Sequence, residues 1–307
     1  MSRRTDSGLD GILLIDKPAG WTSHDVVARA RRITGQRRIG HTGTLDPMAT
    51  GLLVLCLGNA TRLVEFLTGH DKRYTGEITL GRTTTTDDAE GDTLAEYPVR
   101  ELSQGYVDEV SSRFTGPILQ RPPAFSALKV AGRRAYDLAR SGAAPDLVSR
   151  PVTIHSLEVR IAASDRLELD LSCSSGTYVR SLARDLGAAL GTGAHLTSLR
   201  RHSAGPFTID SAFTLEAVAS AVNNGSLEEL ILPSDDGLMT MDAAILSREG
   251  AHAVSNGMSW NTTLAPDCDR SPVRIYSDSG SFVGVGSVSS LGRIHASKVL
   301  ERDKSLN

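Results

Sequence analysis

The sequence has little cysteine, no long apolar run and almost no net charge. Its three cysteines, Cys56, Cys173 and Cys268, lie far apart and form no CxxC pair. Neither a disulfide framework nor a zinc ribbon is therefore expected, and a reducing, cytoplasmic setting fits best. The longest apolar run, Leu52–Leu57, is far short of the about 20 residues a membrane helix needs. No apolar stretch of signal-peptide length follows Met1-Ser-Arg-Arg-Thr-Asp, so neither a membrane nor a secretory role is expected. The eight histidines are scattered with no HxxxH pair, which disfavours a catalytic zinc. No GxSxG elbow is present. Asp87, Asp88, Glu90 and Asp92 surround Gly91, but at offsets that miss the calcium-loop pattern. The segment Thr83–Asp92 is expected to be a solvated loop.

What is present suits a globular protein of about two domains: 307 residues, 40% apolar and 22% charged. The net charge of −3 argues against a generic polyanion binder, yet the charge is unevenly distributed. Residues 1–48 carry eight Lys/Arg against five acids, 112–150 seven against two, and 180–202 four against one. Residues 215–247 hold six acids and no Lys or Arg. If the three basic segments share a face, they form a footprint for phosphates; charge alone also allows three separate solvated surfaces.

Gly11–Ile15 reads as a buried strand and Asp16–Gly20 as a turn. Ser23 is a candidate N-cap for a helix carrying Val26, Val27, Ala30 and Ile33, stopped at Gly35. Leu52–Leu57, Arg73–Leu80, Val152–Ile161, Leu167–Cys173, Leu196–Arg201 and Phe207–Ile209 read as strands. Helices are expected over Ala60–Leu67, Ser103–Phe114, Arg134–Ser141, Leu215–Val222 and, capped by Thr177, up to Leu190. Beyond about residue 230 the chain turns acidic and Gly/Ser-rich. One short helix, Glu249–Asn256, and three strands, Val273–Tyr276, Phe282–Val288 and Arg293–Val299, are expected there. A domain boundary is placed near Leu232.

The most informative stretch is Arg37–Gly51, which contains Gly40-His41-Thr42-Gly43-Thr44-Leu45-Asp46-Pro47. Glycines allow a ligand close to the backbone, and Pro47 holds Asp46 extended. Arginines upstream can hold phosphates, and a carboxylate so presented can be a nucleophile or base. These residues alone fit a plain Asp-Pro turn after a basic helix better than a reactive carboxylate.

This loop resembles the GHTGTLDP signature of the TruB family of pseudouridine synthases. Five further blocks resemble the family in order: Leu14-Ile15-Asp16-Lys17-Pro18 with Thr22–Val27; Lys72-Arg73-Tyr74; Gly132–Tyr136 with Ala139-Arg140; Cys173–Leu182, containing Gly-Thr-Tyr-Val-Arg-Ser-Leu; and Leu199-Arg200-Arg201. Together they cover roughly residues 11–210. The resemblance implies an α+β fold with a mixed, mainly antiparallel sheet flanked by helices (residues 1–232). A small β-rich, PUA-like RNA-binding domain (233–307) would follow. It implies cofactor-free and metal-free isomerisation of uridine 55 in the T-loop of tRNA to pseudouridine. In that reading Asp46 is catalytic, Tyr74 stacks on the flipped uracil and serves as acid or base, and Arg180 pairs with Asp46. Tyr178 and Leu199 line the uracil pocket, and His41 helps extract the base. Lys17 and Pro18 shape the core around the site. The expected partner is the T-loop and T-stem of tRNA, with no obligate protein partner and a monomeric state. Two alternatives remain: a guide-RNA-dependent enzyme of ribosomal RNA, and a tRNA-folding chaperone without essential catalysis.

Overall fold

The computed structural model describes residues 8–125, 147–263 and 272–300, with two short strands, Lys129–Val130 and Arg133–Arg134, between the first two stretches. Arg134 lies in the second of these strands; the rest of the helix expected at Arg134–Ser141, and most of the block around Tyr136, lie outside the described residues.

The main sheet has ten strands. Its spatial order is β14 (Ile231–Leu232), β1 (Gly11–Lys17), β3 (Thr50–Leu57), β12 (Ala194–Ala204), β4 (Lys72–Leu80), β11 (Arg166–Cys173), β10 (Arg150–Ala163) and β7 (Gly116–Gln120). β2 (Ile39–His41) adds to β3, and β13 (Phe207–Thr208) to β12. Pairing is antiparallel except where β12 meets β3 through Arg200↔Thr50 and Arg201↔Gly51. Gly51, at φ 97°, makes that junction, because a Cβ there would lie 2.3 Å from the Arg201 carbonyl oxygen. Two ribbons, β5 (Arg82–Thr84) with β6 (Thr93–Glu96) and β8 (Lys129–Val130) with β9 (Arg133–Arg134), stand outside this sheet.

The apolar patterns follow from what covers each strand. In β1 and β3, Leu13, Ile15, Leu53, Leu55 and Leu57 enter one core, while Ile12, Leu14, Leu52, Val54 and Cys56 enter another on the opposite face. Strands covered on both faces need continuous apolar runs. β4 and β11 are covered on one face only: Tyr74, Ile78, Leu167, Leu169 and Leu171 point into the first core. The residues between them, Thr75, Glu77, Glu168 and Asp170, line an open groove.

The chain leaves the main sheet at Leu232 and enters a five-stranded sheet at Ala243. That sheet runs β15 (Ala243–Leu246), β17 (Val273–Ser277), β18 (Phe282–Val288), β19 (Arg293–Val299), β16 (Trp260–Asn261), with a helix at Arg248–Ser255. It docks on the main sheet through Val285 and Leu300, which join Ile12, Leu52 and Leu63 in the second core. Lys298 pairs with Glu65 at 2.7 Å across the same junction. The architecture is α+β, as expected. Among the described residues no helix is long and apolar enough to cross a membrane.

Two caps differ from the sequence expectation. Thr22, not Ser23, caps the helix Ser23–Thr34, in a reciprocal capping box with Asp25. Ser23 turns inward instead and exchanges hydrogen bonds with the backbone of Leu45 at 2.9 and 3.1 Å. The helix Val179–Leu190 begins after Tyr178, which gives no side-chain cap. The Thr177 hydroxyl donates to the Ser174 carbonyl at 3.0 Å, closing the preceding turn.

Candidate active site

Asp46 sits between β2 and β3 on a loop tied down at each end. The Thr42 amide donates to the Val54 carbonyl at 3.1 Å, the Ala49 amide to the Asp46 carbonyl at 3.1 Å, and the Gly20 amide to the Pro47 carbonyl at 2.8 Å. Beneath the loop lies Lys17, fully buried at the end of β1. Its ammonium donates to the carbonyls of Trp21 at 2.6 Å, Pro18 at 2.9 Å and Pro47 at 3.2 Å. Burial lowers the Lys17 pKa to about 8, against the opposing pull of Asp46 and Glu90. Lys17 thus joins the 18–21 turn to the residue after Asp46, in line with the core-shaping part expected of it.

Arg180 reaches Asp46 from the first turn of its helix. The contact is bidentate: Nε to Oδ2 at 2.9 Å and Nη2 to Oδ1 at 3.1 Å. Such a fork fixes a carboxylate in orientation as well as position. Arg180 is buried while Asp46 is about one-third exposed, so the acid faces outward and its partner does not. Arg180 also donates to the Thr86 carbonyl at 2.9 Å and the Phe125 carbonyl at 3.1 Å, and its Nη1 lies 3.4 Å from the Asp88 carboxylate.

Asp88 is a functional candidate that sequence reading missed, and its segment is a correction. Thr83–Asp92 is not a solvated loop: Thr84 and Asp88 are buried at 2% and 3% exposure. The segment is stitched to the edge of β12 by Ala89 N–H to Leu196 O and Leu196 N–H to Asp87 O, each at 3.0 Å. Asp87 adopts a left-handed backbone at φ 62°, uncommon for a non-glycine. Its carboxylate accepts from Arg184 at 2.8 Å. Asp88 in turn accepts from the Thr86 hydroxyl and, at 3.0 Å, the Glu90 amide. Acids around a glycine look like a solvated turn in sequence; the only hint otherwise was their position between two β-forming stretches.

Tyr74 is buried in β4, directly across from Arg201 in β12. Burial raises its phenol pKa, against the opposing influence of the Arg201 guanidinium, so the hydroxyl is neutral near pH 7. Arg201 is itself buried and donates to the Leu52 carbonyl at 2.7 Å and the Gly43 carbonyl at 3.0 Å. One guanidinium thereby links the signature loop, β3 and the tyrosine. The charge of Asp46 is felt at Tyr74, Lys17 and Glu90.

The other expected residues lie close in the fold. Leu199, opposite Gly76, lines an open groove of about 580 Å³ with Met48, Thr50 and Leu169. Tyr178 precedes Arg180 by two residues. Its backbone is clamped by the buried Gln120 side chain, which accepts from its amide at 2.8 Å and donates to its carbonyl at 3.1 Å. His41 meets His24 edge-on, ring centroids 5.6 Å apart. Its Nδ1 is buried without a hydrogen-bond partner among the described residues. Burial, with further lowering from His24 and Arg201, holds its pKa below the ordinary histidine value.

The expected phosphate footprint needs correction. The four arginines of 180–202 are engaged within the protein: Arg180 and Arg201 are buried, Arg184 holds Asp87 and Asp185, and Arg200 holds Asp16 at 2.8 Å. Their partners lie mostly outside the segment, so its excess of positive charge is cancelled where it stands.

An aspartate on a glycine-rich loop, forked by a buried arginine beside a buried tyrosine, on a mainly antiparallel sheet with a β-rich C-terminal unit, defines a class of RNA-modifying isomerase fold. The comparisons agree. Residues 31–179 match the N-terminal domain model of the TruB family pseudouridylate synthases, and residues 180–239 match the tRNA pseudouridylate synthase B C-terminal domain. The tRNA pseudouridine synthase B of Pseudomonas fluorescens is 40% identical over 305 residues, spanning 98% of this chain and 99% of the relative. That of Nocardia farcinica is 53% identical over 222 residues, 71% and 72% of the two chains. A solved Cbf5–Nop10–Gar1 complex contains a chain with TM-score 0.73 and 25% identity, covering 95% of this chain and 86% of that one. The archaeal box H/ACA Nop10–Cbf5 complex gives TM-score 0.74 at 24% identity, covering 97% and 88%. The chain belongs to the TruB family of pseudouridine synthases and is an enzyme of that isomerase type.

Proposed function

We propose that this protein converts uridine 55 in the T-loop of tRNA to pseudouridine, as a stand-alone enzyme and a monomer. The reading is carried by one observation: a carboxylate about one-third exposed, Asp46, is oriented by two nitrogens of a buried arginine fork next to a buried, neutral tyrosine. The reaction exchanges one glycosidic bond for another. The C1′–N1 bond breaks, the uracil turns, C1′ joins C5, the C5 proton leaves and N1 gains a proton. No atoms are added, so neither cofactor nor metal is called for.

A stacked uracil hides the bond to be broken, so the base must leave the helix at a cost of a few kcal/mol. Stacking on an aromatic ring such as Tyr74 returns about 1–3 kcal/mol. Arg180 occupies one side of each Asp46 oxygen, and no other described residue takes the remaining lone pairs, which can meet the sugar–base junction. Asp88 prevents Arg180 from turning away. Neutral Tyr74 is a proton donor in the same pocket, with Leu199 and Tyr178 as its apolar walls and His41 at the mouth. The C-terminal sheet, residues 233–307 in this scheme, contacts RNA remote from the reaction.

The relatives that span nearly the whole chain carry the name of a tRNA enzyme, which favours this reading over a guide-RNA-dependent one. The test is incubation with an unmodified tRNA transcript, followed by mapping of pseudouridine. Formation at position 55 with protein and transcript alone is expected. Formation only with an added guide RNA and partner proteins would overturn the reading, and binding without formation would point to a chaperone.

A further inference from the structure

The turn that Lys17 anchors carries a large aromatic side chain the catalytic scheme does not use. Trp21 is 37% exposed, although an indole is among the side chains with most to gain from burial. Its position is well fixed. Its carbonyl accepts from Lys17 at 2.6 Å, and the Gly20 amide beside it donates to Pro47, the residue after Asp46. The capping box of Thr22 and Asp25 fixes the chain direction on its other side. The backbone of Trp21 is thus held next to the loop of Asp46, with more than a third of the residue's surface open.

Trp21 lines a groove of about 520 Å³ with Arg29 and Arg32 of the adjoining helix, and Leu215 at its floor. Both arginines are exposed, and neither has a hydrogen bond or ion pair among the described residues. They differ in this from the arginines of 180–202. Two acids also line the groove. Asp25 is turned to the helix start by Thr22. Glu216 lies in the first turn of its own helix, where the N-terminal dipole stabilises it. An exposed indole on an anchored backbone, beside guanidiniums that no described residue engages, is the arrangement that binds a single-stranded nucleic acid, with a base stacked on the ring and phosphates on the cations.

We infer that Trp21, Arg29 and Arg32 form an accessory RNA-binding site that stacks one unpaired base of the substrate and holds its flanking phosphates. This rests on the proposed activity for the identity of the RNA, but not for its chemistry. Trp21 acts here as a positioning residue: it fixes the RNA on the rim so that the target uridine reaches Asp46.

The chain has two tryptophans, Trp21 and Trp260. Trp260 packs against Gly250 in the C-terminal sheet, remote in sequence from the groove. In a Trp260→Phe background all tryptophan emission reports Trp21. Titration of the full chain with unmodified tRNA transcript should quench that emission saturably, and the same samples report pseudouridine formation. In separate steady-state assays, Trp21→Ala should raise KM for the transcript about tenfold with kcat nearly unchanged, the size expected when one base–aromatic stack is removed. Trp21→Phe should recover most of that loss. If pseudouridine forms while Trp21 emission does not change, or if Trp21→Ala leaves KM unaltered, the accessory site is wrong and the enzyme reading stands. If emission is quenched but no pseudouridine forms, the site binds RNA and the activity reading fails instead.

Discussion

Two groups of arginines in this protein carry the same charge and have opposite surroundings. Those at 180, 184, 200 and 201 lie against carboxylates or carbonyls, two of them buried. Those at 29 and 32 project from an exposed helix face without partners among the described residues. Counted along the sequence, both groups look like material for a phosphate footprint. In the fold, the first group is engaged by carboxylates and carbonyls of the protein, and the second is not engaged by any described residue. Net charge by segment is therefore a poor guide to a binding face when the neutralising acids come from other segments.

The sharpest way to break this contrast is to remove the fork. Arg180→Met should lower kcat about 10²–10³-fold, the range seen when a preorganised electrostatic partner is removed. The variant should also be less stable, since Asp46 and the buried Asp88 are deprived of their shared cation; removing a buried partner costs about 3–5 kcal/mol. Single-turnover rates and chemical denaturation measure the two separately. A kcat within threefold of the parent would show that the fork is not catalytic.

Asp88→Asn tests the support behind it. A hydrogen bond to a charged group contributes about 1.5–3 kcal/mol, so kcat should fall about ten- to a hundredfold while KM for tRNA changes little. An effect on KM alone would place Asp88 in binding and not in the positioning of Arg180.

Asp88 also marks how far the sequence was legible. The signature loop, Tyr74 and Arg180 could be picked out because each lies in a distinctive short block. β1 and β3 could be read because burial on both faces demands unbroken apolar runs. Asp88 could not, because its neighbours are polar and its burial comes from a backbone pairing with Leu196, more than 100 residues away. Ser23 misleads for a related reason. A serine at a helix start looks like a cap, yet this one bonds to the backbone of Leu45 and ties down the loop that carries Asp46. Gln120, which clamps Tyr178 from a distant strand, gives no local signal at all.

The exposed group makes a smaller prediction. Arg29→Gln with Arg32→Gln should leave kcat intact and weaken tRNA binding. The salt dependence should become shallower by roughly 0.7 in log–log slope for each phosphate that is no longer neutralised. Arg200→Gln, which removes an internal pair with Asp16, should leave that slope unchanged. Equal slope changes in both would erase the distinction between the two groups.

The smallest effect concerns acid. His41, His195 and His202 are all held below the ordinary histidine pKa, chiefly by burial. His195 is fully buried, its two ring nitrogens on the carbonyl and guanidinium of Arg82 at 3.1 and 3.2 Å. The unfolded chain takes up these protons first as pH falls. Stability should therefore be complete above about pH 6.5 and decline on further acidification. Tm measured from pH 7.5 to 5.5 should fall, and less so in His195→Gln. A Tm that rises over this interval would contradict the burial of these rings.

In the proposed reaction Asp46 supplies chemistry and little of the affinity. Asp46→Asn keeps the size of the side chain and removes its charge. Single-turnover pseudouridine formation and the Kd for the same unmodified transcript should be measured side by side in this variant and its parent. Formation should be abolished while Kd stays within about threefold, because phosphate contacts elsewhere carry binding. Substantial formation by Asp46→Asn would contradict that role.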